Sequence, residues 1–363
     1  MRARLLVVSL IVTGSFLSGA VAVHADPHRA ASVAPAFSVG VTRCTFVDRT
    51  RQVLNYATTP TSVLSPRRTL VTEIRYPTLM SSPTGAEIAG AAPAPQAGGY
   101  ATIVFAHGYD VTPDTYAPLL DAWVRAGFVV VAPLFPDEVA SEVARQFPAN
   151  TENDLWNEPA DLVYVTTRVL NDSATLNLSC PLVAGLVNPN ELGLAGHSDG
   201  ATAVAMLGYA RGRDPQHQTF QSLRSSAAYK AAMVMSGGED DVDPYTPLAP
   251  DPALLIVQSA QDRCNAARNA TKLYRDLHQT NKWFLELLTA HHLPPFDGVD
   301  VPAFGVVART SVQFFRITLE AAAPRSGLSA FGNQLPRVAH MVYDGRGPTF
   351  APLAPSDEKC GPT

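Results

Sequence analysis

Basic residues are in the minority: 27 Lys and Arg stand against 32 Asp and Glu, a formal net charge of -5 over 363 residues. No basic stripe with interleaved aromatics occurs, so the electrostatic footprint of a nucleic-acid-binding protein is missing and no nucleic-acid partner is expected. Cysteine is sparse as well. Cys44, Cys180, Cys264 and Cys360 lie far apart and form no C-x-x-C pair, which argues against a zinc site. No metal or organic cofactor is expected. Beyond the N-terminus no run is long and apolar enough to span a bilayer, and no internal repeat or second domain is evident.

What the N-terminus does contain reads as an export signal. Arg2 and Arg4 form a short positive region, and Leu5 to about Val23 is apolar, with small residues toward its end. Val23-His24-Ala25 offers a small-x-small cleavage site before Asp26, and Ala20-Val21-Ala22 an alternative. Ser9, Thr13, Gly14, Ser15 and Ser18 interrupt the apolar run and no charged stop-transfer pattern follows, so cleavage is favoured over a membrane anchor. The expected organisation is a signal peptide over 1–25, an Ala/Pro/His-rich leader over 26–36 and a single domain over 37–363, in a secreted or extracytoplasmic protein. In that setting four cysteines predict two disulfides, with three pairings open.

Two β-rich stretches, Phe37–Val47 and Arg68–Tyr76, precede a Pro/Ala/Gly-rich loop over Ser81–Gly99. From there apolar strand-like runs alternate with helical ones. The strands are Ala101–Ala106, Phe128–Ala132, Leu192–Ala195, Ala231–Met235, Ala253–Gln258 and Trp283–Leu288. The helices are Tyr116–Ala126, Ala160–Leu170, Asp199–Arg211, Asp262–His278 and Val306–Ala322. This rhythm implies an α/β domain: a mainly parallel central sheet with helices on both faces, and antiparallel strands at its start.

Within that frame Gly196-His197-Ser198-Asp199-Gly200 fits G-x-S-x-G, with a strand before it and a helix after. A serine on so sharp a turn is lifted clear of the backbone, and flanking glycines permit the close approach the turn demands. A serine hydroxyl needs a base, an acid to orient the base, and donors for the oxyanion. Asp262 follows the strand ALLIVQ at the sheet edge where ligands bind; its plain alternative is to cap a helix starting at Arg263. The rival acids Glu239, Asp240, Asp241 and Asp243 read better as a solvated loop. His291 or His292, after the next strand, is the candidate base. Tyr109, after the strand ATIVFA and Gly108, and Asp199, after the nucleophile, are the candidate oxyanion donors through their backbone N–H groups. A carboxylate facing the oxyanion would oppose catalysis, so the Asp199 side chain is expected to point away. His107 and His197 read as structural.

Ala101 to Pro136, the elbow GHSDG, the strand leading to Asp262, the stretch Asn157–Asp161 and AHHLPPF together resemble exported α/β-hydrolases. The nearest group is the dienelactone-hydrolase-like set that includes cutinases, polyesterases and platelet-activating-factor acetylhydrolases, and the resemblance covers most of Arg68 to Ala322. It implies the α/β-hydrolase fold and a Ser198–His292–Asp262 triad, with His292 preferred because Leu293 follows it. It also implies an acyl-site wall at Tyr109. Two departures argue against polyester hydrolysis: Asp199 stands where polyesterases usually have Met, and Ser236-Gly237-Gly238 where they usually have Trp. The expected activity is that of a secreted serine esterase or lipase, working through an acyl-enzyme on Ser198. Its partner would be a small-molecule or lipid ester, with peripheral contact to lipid surfaces. The alternatives are an acyltransferase acting on envelope lipids or sugars with the same residues, and a non-catalytic protein on a hydrolase scaffold.

Overall fold

The structure is a computed structural model that describes residues 37–353, apart from 56–57, 59, 139–151, 175–178, 239–251, 279–280, 323–326, 344, 346 and 352. The expected signal peptide and leader, the acidic stretch 239–243 and Cys360 lie outside the described residues.

The first described strand is β1 (Ser38–Asp48), and after a small hairpin of β2 (Val53–Asn55) and β3 (Ser62–Ser65) the chain returns antiparallel as β4 (Arg68–Thr78). A two-residue strand, β5 (Ile88–Ala89), edges β1. The alternating part follows: β6 (Tyr100–Ala106), β7 (Val129–Pro133), β8 (Val187–His197), β9 (Tyr229–Met235), β10 (Ala253–Ser259) and β11 (Lys282–Leu287). These pair in parallel in the order β7-β6-β8-β9-β10-β11. At one side β4 pairs antiparallel with β7, and at the other β12 (Ala339–Tyr343) pairs antiparallel with β11. One ten-stranded mixed sheet results.

The strands are apolar on both faces because both faces are covered. β6, β7 and β10 are buried along their whole length, as crossover helices require. On one face Ile103 and Phe105 pack with α1 (Ala117–Arg125) and with the long C-terminal helix Val301–Thr318. Val104 and Ala106 face the opposite way, toward α2 (Glu158–Ala174), α3 (Asp199–Tyr209) and α4 (Ala267–Asp276). The C-terminal helix is α5. Trp123 of α1 donates to Ser311 Oγ of α5 at 2.8 Å, tying the two together.

A buried charge network fixes the start of α2. Arg68, on β4, donates to Asp154 and Asp161, and Arg51 donates to Asp48 and Asp161. Buried charges persist only when paired in this way. The Cys44–Cys180 disulfide joins β1 to the loop after α2, and Cys264 is also disulfide-bonded. Among the described residues no helix is long and apolar enough to cross a membrane.

Candidate active site

The sheet register brings the relevant loops to one edge. Ala106 pairs with Gly196, His197 with Met235, Met235 with Val257, and Ser259 with Leu287. The chain therefore leaves β6, β8, β9, β10 and β11 at nearly the same level. The next few residues of each strand, which include Gly108, Ser198, Ser236, Asp262 and His292, converge there, at the carboxyl edge where open α/β sheets bind ligands.

Ser198 sits between β8 and α3 at φ 56 and ψ -122, a region that L side chains rarely adopt and that persists only where the surroundings hold it. The flanking glycines are required by contact. A Cβ on Gly196 would strike the Gly200 carbonyl, and one on Gly200 would strike the carbonyls of Ala106 and His107 on the neighbouring strand. Ser198 is half-buried, whereas Asp262 and His292 are buried.

The three side chains form a continuous hydrogen-bonded line. Asp262 Oδ2 lies 2.9 Å from His292 Nδ1, and His292 Nε2 lies 3.1 Å from Ser198 Oγ. A carboxylate can only accept, so Nδ1 carries the proton and the Nε2 lone pair faces the serine hydroxyl. Asp262 is itself held: Oδ1 accepts from the N–H groups of Cys264 and Asn265, and Oδ2 also accepts from Gln258 Nε2 at 3.2 Å. Those bonds make a turn, and the helix expected from Asp262 begins only at Ala267. His291 is exposed. Asp262, Cys264 and His292 bring ligand-type atoms within 4.8 Å of one another. Cys264 is committed to a disulfide and Asp262 and His292 to each other, so this donor set does not suit a metal.

Of the expected oxyanion donors, Asp199 is the first residue of α3, where helix N–H groups lack intrahelical acceptors. Tyr109 follows Gly108, whose backbone lies against the nucleophile: a Cβ built on Gly108 falls 3.0 Å from Ser198 Cβ. His107 holds this loop. Its Nε2 accepts from the Phe135 N–H at 3.1 Å, so Nδ1 carries the hydrogen and donates to the Gly108 carbonyl at 2.8 Å. Burial pushes His107 down to about 4, which keeps that tautomer neutral.

The Asp199 carboxylate is buried, and its charge is felt at Tyr116 and at Glu158. Glu158, the first residue of α2, is fully buried, and among the described residues its carboxyl oxygens have no hydrogen-bond partner. Burial first, then Glu138, Asp199, Asp154 and Asp161, hold its carboxyl well above the usual range. Glu158 was not singled out by sequence, nor was Asn265, whose Nδ2 lies 2.7 Å from the Ser236 carbonyl and 3.4 Å from Ser198 Oγ. Gln258 did leave a signal, as the one polar residue in the apolar run ALLIVQ.

The ten-stranded sheet, the helices on both faces and the serine turn after β8 define the α/β-hydrolase fold, and this chain has it. The family model described as Chlorophyllase matches residues 68–223, less than half of the chain. That stretch takes in β4, the Gly108 loop and the Ser198 turn but stops short of Asp262 and His292. Among solved structures, a ferulic acid esterase from Streptomyces cinnamoneus superposes with a TM-score of 0.56 at 17% identity, covering 80% of this chain and 93% of that one. None of the curated proteins matches the chain in sequence. Matching solved chains number 806, so the fold is too widely shared to select a substrate.

Proposed function

We propose that the protein is a secreted serine esterase that hydrolyses carboxylic esters through an acyl-enzyme on Ser198. The observation that carries this reading is the Asp262–His292–Ser198 line on a strained turn at the carboxyl edge of the sheet. The Chlorophyllase match and the ferulic acid esterase likeness support an esterase-type hydrolase. The disulfide Cys44–Cys180 suits an oxidising compartment, and the N-terminal sequence suits export.

In this mechanism the Ser198 hydroxyl attacks the ester carbonyl as its proton passes to His292 Nε2. The carbonyl electron pair moves onto oxygen, where the N–H groups of Tyr109 and Asp199 receive it. The intermediate collapses, and the leaving alkoxide takes the proton from His292. Water, deprotonated by His292, then attacks the acyl-serine. The acid departs and Ser198 regains its proton. Asp262 keeps the ring oriented and stabilises the imidazolium formed in each half.

A fluorophosphonate should label the wild type and leave Ser198→Ala unlabelled. A p-nitrophenyl ester series from acetate to palmitate should show turnover with an optimum that sizes the acyl pocket. Equal labelling of the two proteins, or silence across the series, would overturn the assignment. Running the assay with an added alcohol separates hydrolysis from acyl transfer, and free acid as the sole product is the expected outcome.

A further inference from the structure

Tyr116 and His197 lie between the two halves of the candidate site. Tyr116, at the end of the short helical turn before α1, is fully buried, as is the His197 ring. The Gly108 N–H donates to Tyr116 Oη at 3.2 Å, Tyr116 Oη lies 2.8 Å from His197 Nδ1, and His197 Nε2 lies 3.1 Å from the His292 carbonyl oxygen.

The direction of every bond follows from its end members. A carbonyl only accepts, so His197 Nε2 carries the hydrogen and donates to His292. Nδ1 is then an acceptor, and Tyr116 must donate to it while accepting from Gly108. Burial, with the neighbouring His292, holds His197 well below the ordinary histidine range, and burial raises the Tyr116 phenol. Both groups therefore stay in the neutral forms that this order requires. The line runs from the oxyanion loop through the residue before the nucleophile to the backbone of the base.

We propose that Tyr116 and His197 are positioning residues that couple the oxyanion loop to the base, so that the Tyr109 N–H and His292 Nε2 are set together around Ser198. The inference rests on the esterase reading above. Gly108 is gripped on both sides: its N–H by Tyr116, its carbonyl by His107 Nδ1–H. That carbonyl and the Tyr109 N–H belong to one peptide unit, so holding the oxygen toward His107 turns the N–H to the opposite side. An oxyanion donor acts only when pre-aimed at the developing charge. Among the described residues neither Tyr116 nor His197 hydrogen-bonds to Ser198 Oγ or His292 Nε2, although the His197 ring also packs against the His292 ring with centroids 4.6 Å apart.

The two halves of the line separate by substitution. Tyr116→Phe keeps the ring that packs edge-on against Phe105 and deletes only the hydroxyl. His197→Gln places an amide N–H near the Nε2 position and keeps the bond to His292, but loses the acceptor for Tyr116. His197→Asn places a carbonyl oxygen near the Nδ1 position and keeps the Tyr116 side, but loses the bond to His292.

The experiment measures kcat, KM, the affinity of a trifluoromethyl ketone transition-state mimic, and Tm for these variants. Tyr116→Phe and His197→Gln should each lower kcat roughly ten- to a hundredfold, weaken the mimic by a similar factor, and leave KM within about twofold. Their double variant should be no worse than either alone. Should Tyr116→Phe fail to fold, His197→Gln gives the same readout.

Unchanged kcat and mimic affinity would overturn the coupling. So would a rise in KM with a falling Tm, the mark of a packing role, or additive losses in the double variant. Wild type that takes no fluorophosphonate at Ser198 sinks the esterase reading and the coupling together. A labelled wild type beside an unaffected Tyr116→Phe sinks the coupling alone.

Discussion

Glu158, whose carboxyl feels the Asp199 charge, and His107, in the loop beside Ser198, are buried titratable residues with opposite consequences for stability. Glu158 is held well above its usual range, by burial first, so the native state keeps a proton that the unfolded chain gives up above pH 4.5. Native protein then binds more protons, and this contribution to stability declines as pH rises through the window above 4.5. Glu158→Gln carries no such proton. Its stability relative to wild type should therefore improve from pH 5 to pH 8, as read by urea unfolding at both. His107 runs the other way. Lowered to about 4 by burial, it stays neutral while the unfolded chain protonates below pH 6.5, so stability falls as pH drops from 6.5 to 4. The loss approaches roughly 3 kcal/mol. His107→Gln, which retains an acceptor for the Phe135 N–H, should flatten that limb of the pH profile.

Among the elements, the turn between β8 and α3 is the least tolerant of change. α3 starts so close to β6 that a Cβ on Gly200 would meet the Ala106 and His107 carbonyls. Gly200→Ala must push the helix off the sheet, and a loss of about 3 kcal/mol or more is expected from overpacking against backbone that cannot yield. Soluble yield and urea midpoint measure it, and a variant within 1 kcal/mol of wild type would contradict the close approach. Other boundaries moved for local reasons. α5 begins at Val301, five residues before the expected Val306, because Asp300 caps it by accepting from the Ala303 N–H at 3.2 Å and Pro302 suits the first turn. Asp-x-Pro was legible as a start signal. The β12 strand was not: a five-residue run carries little periodicity of its own, and pairing with β11 makes Ala339–Tyr343 a strand.

At the scale of the whole molecule, the Cys44–Cys180 bridge spans 136 residues of sequence and fastens β1 to the loop after α2. A closed loop of that length restricts the unfolded chain strongly. Removing the bridge as Cys44→Ala/Cys180→Ala should cost about 2–5 kcal/mol. The site is positioned by the ends of β6, β8, β10 and β11 rather than by β1, so the fluorophosphonate labelling rate at Ser198 should stay within about twofold of wild type under native conditions. A parallel collapse of labelling and stability would show that the bridge also shapes the site.

Sequence by itself determined the parts of this protein whose signal is local. Strands buried on both faces must be unbroken apolar runs, so the parallel sheet and its helices were readable. A serine turn bounded by strand, glycines and helix was readable for the same reason, and the order Ser198, Asp262, histidine was on offer, with His292 favoured over His291 through the resemblance. Tertiary structure alone decided what depends on residues far apart in the chain. It set Asp262, His292 and Ser198 at hydrogen-bond distance, left His291 exposed, joined Cys44 to Cys180 among three pairings, and set Asn265 beside the serine. It also put Glu158 within reach of the Asp199 charge and threaded Tyr116 to His197 across 81 residues. A hydrogen bond between distant residues leaves no periodicity and no motif behind. It exists only once the sheet register has brought the strand ends level.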